Sequence, residues 1–392
     1  MLRRMTRITV FILGFLVIAF LAAEGWARLN LDSSSVARAI AWKDADVDDH
    51  LRFPSRSIRA GPETWQLGVS PPEASRAIDA ITSPEGGTVD RRAFLEETET
   101  TAFIVLRGGD LVVEEYYGDA SHGSTMTSFS IAKSFMSTLF GIAIDEGSIG
   151  GLDEPITDYL PELAERDERF GRITIRHLMT MSSGLRYEEQ SMPWSDDTTT
   201  YYAPDLRAAA MEAEIERPPG EVFHYNNYNL LLAGMILERA TGEHIADYMG
   251  RVLWQPMGAE ADASWSLDSE ASGFEKSESG VNAVAMDFAR FGLLFLRGGR
   301  NAEGTSVVPE DWVAAATADD RSTDPASMYQ YWWWIDTQRA GRFYAAGNKG
   351  QFVYVAPDKD AVIVRMGRDY GVDGSMAWVG VLRDVADRLR AT

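Results

Sequence analysis

Strand-like segments lie near both ends of this 392-residue chain and enclose a mostly helical middle. Residues 102–117 predict a β-hairpin, because two apolar runs flank a Gly-Gly-Asp turn. Three further β-rich runs occur towards the C-terminus, at 329–335, 351–355 and 361–366. The pattern predicts an α/β (α+β) fold in which both ends build one antiparallel sheet flanked by helices, with a mostly helical region of about residues 151–280 inserted. A ligand cleft is expected where the sheet meets this region.

The N-terminus predicts an apolar helix that directs the rest of the chain out of the cell. Arg3, Arg4 and Arg7 precede an almost wholly apolar run at residues 8–23, which is the pattern of an export signal or an N-terminal anchor. The run is slightly shorter than the ~20 residues that span a bilayer, so a cleaved signal (residues 1–30) and an inner-membrane anchor (8–23) both stay open. In either case the folded part lies on the periplasmic or extracellular side. The three arginines disfavour a third interpretation, a buried core helix.

The segment between the apolar run and the first predicted strand is rich in Ser, Asp and Pro. These residues favour turns and loops. Residues 31–85 are therefore predicted to form a stalk or linker with little regular structure, and residues 86–392 the folded domain.

Composition and missing motifs exclude several functions. The formal net charge of −22 opposes binding to nucleic-acid phosphates. Cysteine is absent, which excludes disulfides, a thiol nucleophile and thiolate metal sites. The sequence has no Gly-x-Ser-x-Gly motif, no His-Glu-x-x-His motif and no phosphate-binding Gly-rich loop. We therefore expect a small molecule as the partner, with no metal and no cofactor; the oligomeric state is left open.

The segment with the clearest chemical potential is Ser130-Ile131-Ala132-Lys133, at the start of a helix predicted over residues 129–146. Residues three apart share a helix face, so the hydroxyl and the amine can meet. A serine hydroxyl needs an adjacent base, and a lysine serves only if its environment lowers its pKa from about 10.4 by ~3 units. The chain has five lysines against 32 arginines, which makes Lys133 conspicuous. By itself, however, the motif is more often a solvated helical turn.

Two further segments offer groups that could complete such a site. Tyr225 and Asn227 precede an apolar helix, and a phenol and an amide at this spacing can exchange a proton and hold a substrate carbonyl or a lysine. A helix start capped by Asn and packed by Tyr is the alternative. The segment from Gly347 to Gln351 enters a strand, where glycine lets the backbone approach a ligand and the Gln351 amide could donate to an oxyanion. A plain hairpin turn explains this segment equally well.

Two aromatic regions have less specific interpretations. The run from Tyr331 to Trp334 predicts a buried strand, with the lining of a binding site as the alternative. Residues 186–204 predict either a loop near the cleft that shapes specificity or an ordinary surface loop.

Together, the three motif segments resemble the serine β-lactamase and penicillin-binding-protein superfamily. They are most similar to its class C β-lactamase-related serine hydrolases, which include esterases and 6-aminohexanoate-dimer hydrolases. The resemblance spans about residues 100–370 and is specific because the motifs agree in order and spacing. It implies a β-lactamase-like fold, a nucleophile at Ser130 and acid/base work shared by Lys133 and Tyr225, with the first proton acceptor left open. It also implies an oxyanion hole made by the amides of Ser130 and Gln351.

The third motif departs from the family pattern. Where β-lactamases carry Lys-Thr-Gly or Lys-Ser-Gly, and related esterases often His-x-Gly, this chain has Asn348-Lys349-Gly350. The resemblance gives this motif a role in holding a substrate carboxylate, so the missing first cation disfavours a β-lactamase or a D,D-peptidase. The leading hypothesis is an exported serine hydrolase that cleaves a carboxylic ester or a linear amide through an acyl-enzyme on Ser130. The alternatives are a β-lactamase or cell-wall peptide hydrolase, and a catalytically silent binding or sensing module on the same fold.

Overall fold

The computed structural model describes residues 2–190, 192–318 and 326–389. In these residues the strands are β1 (Ser55–Ile58), β2 (Gly68–Val69), β3 (Ala80–Thr82), β4 (Thr88–Asp90), β5 (Thr100–Arg107), β6 (Asp110–Tyr116), β7 (Thr125–Thr127), β8 (Ala263–Ser266), β9 (Val281–Val284), β10 (Tyr329–Gln330), β11 (Trp333–Ile335), β12 (Phe343–Gly347), β13 (Gln351–Ala356) and β14 (Ala361–Gly367). The α-helices are α1 (Leu2–Leu29), α2 (Ser35–Trp42), α3 (Pro72–Arg76), α4 (Arg91–Glu97), α5 (Ile131–Asp145), α6 (Pro161–Arg166), α7 (Ile175–Met179), α8 (Asp196–Tyr202), α9 (Leu206–Met211), α10 (Tyr228–Thr241), α11 (Ile245–Met249), α12 (Gln255–Met257), α13 (Ala285–Leu296), α14 (Glu310–Ala316) and α15 (Gly374–Arg388).

The largest sheet has eight strands in the order β10-β11-β12-β13-β14-β5-β6-β2. The C-terminal strand β14 pairs antiparallel with β5, and Ile363 lies opposite Val105. Both ends of the chain therefore build one sheet, as the sequence predicts. The predicted hairpin is β5–β6, and the short strand β2 pairs parallel with β6.

The side chains of β5 divide the core into two layers, because successive residues of a strand point to opposite faces. Ile104 and Leu106 belong to the larger core, which contains buried residues of α5, α10 and α13. Phe103 and Val105 belong to the smaller core, which is closed by α15. Helix α5 lies in the larger layer and contacts β12 and α10, so segments that are far apart in sequence come together around it.

The inserted region is mostly helical, as predicted, since α6 to α12 fall within it. It also contains β8, which the sequence pattern does not reveal. This strand belongs to a second sheet with the order β1-β8-β9-β7. Its strands have only three or four residues, too few for a period of two to stand out.

Residues 31–85 are not a stalk, and this prediction is wrong. They contain two α-helices, a 3-10 helix and three strands, and β1 pairs antiparallel with β8. Arg38 in α2 is 3% exposed, and its guanidinium donates to the carbonyl oxygens of Tyr202 and Asp268 at 3.3 and 2.6 Å. The Ser, Asp and Pro residues do mark turns, but partners far along the chain order the segment.

The predicted apolar N-terminal helix is present as α1. Its C-terminal part packs on α2, and Ala27 is fully buried. Across the described ranges, no helix is both long enough and apolar enough to cross a membrane.

Candidate active site

Helix α5 begins at a strained turn that presents Ser130. Phe129 has a φ of +44°, a left-handed conformation that is costly for a bulky side chain. The preceding residue is fixed, because the amide of Ser128 donates to the carbonyl of Val281 in β9. Ser130 then occupies the position just before the first helical residue. Strain that the surrounding structure enforces in this way is typical of functional sites.

Ser130 and Lys133 meet, as their spacing predicts. Lys133 Nζ lies 2.9 Å from Ser130 Oγ and donates a second hydrogen bond, also 2.9 Å long, to the carbonyl oxygen of Glu278. The Lys133 side chain is 2% exposed. Burial lowers the pKa of Lys133 from 10.5 to about 8, although the negative charges of Glu278 and Asp197 act in the opposite direction. A neutral amine beside the hydroxyl is thereby accessible near neutral pH.

Tyr225 lies against the same pair. Its ring centroid is 5.0 Å from Lys133 Nζ, and the ring stacks on Trp334 with the centroids 5.9 Å apart. Burial raises the pKa of the Tyr225 hydroxyl, while its hydrogen bond with Ser130 acts in the opposite direction. Tyr225 is therefore a protonated phenol in contact with the Ser130 hydroxyl at neutral pH.

Asn227 lines the same cavity, but its amide nitrogen bonds to other residues near the cavity and not to Lys133. Its amide nitrogen donates to the hydroxyls of Tyr187 and Thr200 at 2.9 and 3.3 Å, and Tyr187 in turn donates to Asp197. Asn227 occupies the N-cap position of α10 without a capping hydrogen bond from its side chain. Its Oδ1 is buried and has no hydrogen-bond partner in the part of the chain described. The capping alternative therefore does not explain this residue.

The third motif segment, from Gly347 to Gln351, contributes its first three residues to the cavity wall. Gly347, Asn348 and Lys349 line the cavity with Ser130, whereas Gly350 and Gln351 do not. The Gln351 carboxamide instead bonds to the backbone of Gly367, at 2.7 and 3.0 Å, and holds the hairpin turn. The structure therefore brings the Gly347–Lys349 turn to the cavity, and the assignment of an oxyanion donor to the backbone amide of Gln351 stays a prediction. Motif spacing alone could not locate the bend of the hairpin.

The cavity that these groups share has a volume of about 970 Å³. The segment 186–204 contributes Glu189, Asp197 and Tyr201 to its wall. Its predicted position near the cleft is therefore confirmed for the described residues, but residues 196–202 form helix α8 and not a loop. The role in specificity stays a prediction. The N-terminal segment adds Lys43 and Asp44. Of the aromatic run, Trp334 lines the cavity, while the three residues before it are buried; both interpretations of that run therefore hold in part.

Comparison with known proteins places this fold in a family. The family model for beta-lactamases matches residues 92–379, which is well over half of the chain. The chain belongs to the beta-lactamase family. This confirms the resemblance to the serine β-lactamase and penicillin-binding-protein superfamily and the predicted β-lactamase-like fold.

Relatives within this beta-lactamase family include hydrolases of different names. The 6-aminohexanoate-dimer hydrolase of Paenarthrobacter ureafaciens is 28% identical over 363 residues, which cover 86% of this chain and 87% of that protein. The esterase EstB of Burkholderia gladioli is 32% identical over 119 residues, 27% of this chain and 30% of the esterase. A Bacillus anthracis structure assigned as a 6-aminohexanoate-dimer hydrolase matches with a TM-score of 0.74 at 24% identity, covering 86% of this chain and 91% of that one. The last comparison shows a shared fold.

Arg365 supports the site of this beta-lactamase-family protein in a way that sequence reasoning missed. It is fully buried in β14, and its guanidinium donates to the carbonyl oxygens of Lys349 and Gly350 at 3.0 and 2.8 Å. A third bond reaches the carbonyl of Thr98. Arg365 thus ties the turn of the third segment to the start of β5. A lone Arg in an apolar run, Val-Ile-Val-Arg-Met, is the signal that could have revealed it.

One group in the described residues has the composition of a metal site. Ligand atoms of Glu238, His244 and Glu275 lie within 4.8 Å of one another. Arg207 binds Glu238 at 2.7 Å, and Arg56 binds Glu275 at 2.8 Å. Because these guanidinium cations already neutralise both carboxylates, the group is poorly suited to a further cation.

Proposed function

We propose that this protein hydrolyses small carboxylic esters or linear amides through an acyl-enzyme formed on Ser130. The observation that carries the proposal is the 2.9 Å contact between Ser130 Oγ and a buried amine, Lys133 Nζ, whose pKa is lowered to about 8. Membership of the beta-lactamase family and the names of its relatives, a 6-aminohexanoate-dimer hydrolase and an esterase, support the same class of reaction.

The lowered pKa of Lys133 has a direct consequence for its use as a base. A lysine with a pKa of 10.5 is neutral in roughly 0.03% of molecules at pH 7, whereas a pKa of 8 gives about 10%. Burial therefore increases the base-competent form roughly 300-fold. Lys133 is the first proton acceptor in the proposed mechanism, because the raised pKa of Tyr225 keeps that phenol protonated.

In the acylation step, Ser130 Oγ attacks the substrate carbonyl carbon while its proton passes to Lys133 Nζ. The tetrahedral intermediate then collapses, and the bond from carbon to the leaving oxygen or nitrogen breaks. The leaving group takes a proton from Tyr225, which recovers one from Lys133, so an alcohol or an amine departs. In deacylation, water attacks the acyl carbon and gives its proton to Lys133, which returns it to Ser130 as the carboxylic acid is released.

The oxyanion of the tetrahedral intermediate needs donors on the cavity wall. The Ser130 amide lies at the N-terminal end of α5, where the helix dipole adds a partial positive charge. We assign the second donor to the turn of Gly347, Asn348 and Lys349, which lines the same cavity. The backbone amide of Gln351 stays the alternative donor.

The altered third motif supports an ester or a linear amide over a β-lactam. The Asn348 side chain folds back and accepts a hydrogen bond from the Lys349 amide at 2.8 Å. The Lys349 ammonium lies 3.9 Å from the Asp369 carboxylate, which offsets part of its charge. Neither residue therefore supplies an unpaired cation of the kind that would hold a substrate carboxylate.

Export of the hydrolase stays part of the proposal, supported by the three arginines ahead of the apolar run at residues 8–23. Fractionation of cells that produce the full chain tests it. Recovery of the protein with the periplasm, membrane or medium is expected, and recovery only with the cytoplasm would contradict export.

Covalent labelling tests the enzyme proposal. A fluorophosphonate should label the wild-type protein, and peptide mapping should place the label on Ser130. Ser130→Ala should not react, while Ser137→Ala, which changes another buried serine of α5, should react like the wild type. Absence of label on folded wild-type protein would overturn the proposal.

Turnover assays then separate the substrate classes. A nitrophenyl ester, a linear anilide and a chromogenic cephalosporin are compared at equal enzyme concentration. We expect turnover of the ester or the anilide and little of the cephalosporin. Efficient cephalosporin turnover without the other two would instead establish a β-lactamase.

A further inference from the structure

The residue whose backbone carbonyl accepts a hydrogen bond from Lys133 also belongs to a buried ion pair. Lys276 and Glu278, in the segment before β9, are 2% and 1% exposed, and Lys276 Nζ lies 3.1 Å from Glu278 Oε1. The Ser279 hydroxyl donates to the same carboxylate oxygen at 2.7 Å. The proposed mechanism uses neither charged side chain, and a buried ion pair is not by itself a reason for stability. The pair therefore calls for another explanation.

The residue that supplies this carboxylate also holds Lys133 in place. Lys133 Nζ donates to the backbone carbonyl of Glu278 at 2.9 Å, and Glu278 and Ser279 line the cavity with Ser130. The residue whose backbone carbonyl fixes the Lys133 amine thus also carries the carboxylate of the ion pair. The second carboxylate oxygen of Glu278 is buried and has no hydrogen-bond partner in the described residues, so Lys276 is the cation bonded to this carboxylate.

Lys276 is held by more than its ion pair. Its ammonium donates to the carbonyl oxygen of Tyr201 in α8 and lies 3.9 Å from the ring centroid of Tyr201 and 4.6 Å from that of Phe53. The charged and titratable groups that face Lys276 are Glu278, Asp49, Arg38 and Tyr201. Those that face Lys133 are Glu278, Asp197 and Tyr225. Glu278 is the charged group common to both environments.

We propose that Lys276 and Glu278 form a positioning unit for Lys133, in which the Lys276 ammonium balances the Glu278 carboxylate and so sets the pH range over which Lys133 can act as a base. This inference rests on the proposed function of the Ser130 site. The Glu278 charge favours the protonated form of Lys133, which is inactive as a base, and Lys276 offsets that charge at a distance of 3.1 Å. Lys276 thus weakens the effect of the Glu278 carboxylate on Lys133, and this compensation needs both members of the pair.

The two single variants should shift Lys133 in opposite directions. In Lys276→Met the Glu278 carboxylate loses its counter-ion, so the pKa of Lys133 should rise by about 1 unit. In Glu278→Gln the negative charge disappears while the backbone carbonyl stays, so the pKa of Lys133 should fall by about 1 unit. The double variant removes both charges and should titrate close to the wild type. A merely structural role would not produce shifts of opposite sign.

Lysine-selective ¹³C labelling at Cε measures these shifts without any substrate. The full chain contains five lysines, so each variant gives at most five signals, and Lys133→Arg assigns the Lys133 signal. Glu275→Gln is the matched control, because this buried carboxylate lies in the same segment, pairs with Arg56 and does not line the cavity. Its Lys133 titration should match that of the wild type.

The result that supports the proposal is an upward shift in Lys276→Met, a downward shift in Glu278→Gln and recovery in the double variant. If one single variant does not fold, the other single variant together with the double variant decides. Unchanged titration of Lys133 in the folded single variants, or shifts of the same sign, would overturn it. The proposed function is tested by a different experiment: absence of fluorophosphonate label on wild-type Ser130 would contradict it. That result would leave the Lys133 titrations unchanged, so the two proposals can fail independently.

Discussion

The contact between the third segment and the turn before α5 depends on the absence of a side chain at Gly347. A Cβ added there would lie 2.2 Å from the carbonyl oxygen of Ser128 and 3.2 Å from the Cβ atoms of Phe129 and Gln351. The first neighbour is backbone and cannot rotate away, so β12 and the Ser128–Phe129 turn must separate by about 1 Å to restore contact distance. Gly347 itself has a φ of −123° and a ψ of 160°, which any residue adopts. The effect of Gly347→Ala is therefore steric.

Gly347→Ala should mainly reduce catalysis. A displacement of about 1 Å in a catalytic constellation costs roughly 100-fold in rate, or about 2.7 kcal/mol. Overpacking should also lower the free energy of unfolding by about 1–3 kcal/mol, which urea denaturation followed by circular dichroism measures. The assay is kcat/KM for the nitrophenyl ester that the wild type turns over best.

Gly380→Ala is the matched control, because a Cβ at that position in α15 meets nothing within 4 Å. It should keep wild-type kcat/KM and gain up to about 1 kcal/mol of stability, since alanine favours helix over glycine. A folded Gly347→Ala protein with kcat/KM within threefold of the wild type would refute the reasoning, because the two segments would then tolerate separation.

Three further predictions concern groups around the site. The rate of fluorophosphonate labelling of Ser130 should rise with pH with a midpoint near 8, because Lys133 must lose its proton to act; a midpoint near 10.5 would contradict the lowered pKa of Lys133. Arg365→Met should slow labelling at least about tenfold, because two carbonyl oxygens of the third segment lose their donor; an unchanged rate would remove Arg365 from the support of the site. Arg38→Met should lower the free energy of unfolding by about 3 kcal/mol in urea denaturation, because two buried carbonyl oxygens lose a charged donor. Arg59→Met, at a residue with a 76% exposed side chain, should change neither measurement.

The parts of the fold that the sequence predicts are those with strong local periodicity. The helix expected over residues 129–146 is observed as Ile131–Asp145, because fifteen consecutive helical residues give a clear apolar pattern. The contact between Ser130 and Lys133 follows from helix geometry alone. Local geometry of this kind needs no knowledge of distant partners.

The parts that the sequence does not predict are set by residues distant in the chain. Residues 31–85 have the composition of a linker, yet Arg38 and β1 find their partners after residue 200. Gln351 has the right spacing for an oxyanion donor, but the bend of the β12–β13 hairpin brings the residues before it to the cavity. The proposed role of Lys276 could not be predicted from the sequence for the same reason, because its contact with the Tyr201 carbonyl forms only in the folded chain.

The distribution of lysines offers one more constraint on the mechanism. Lys43, Lys133 and Lys349 line the cavity, and Lys276 pairs with Glu278, which also lines it. The fifth lysine, Lys359, instead interacts with carbonyl oxygens at the C-terminal end of α15. The arginines that dominate the rest of the chain cannot serve as bases, because a guanidinium keeps its proton at accessible pH. The proposed reaction needs a base beside Ser130, and the residue in that position is a lysine, Lys133, rather than an arginine.

Lys133→Arg turns this distinction into a prediction. Arginine keeps the positive charge and can still donate towards Glu278, but it cannot become neutral. If Lys133 only positions Ser130 through its charge and hydrogen bonds, Lys133→Arg should retain much of the labelling rate that Lys133→Met loses. If Lys133 is the base, both variants should label at least about 100-fold more slowly than the wild type, with no recovery between pH 6 and 9. Lys359→Arg should label normally. Substantial labelling of Lys133→Arg would show that the proton of Ser130 goes elsewhere, with Tyr225 as the remaining acceptor in contact with it.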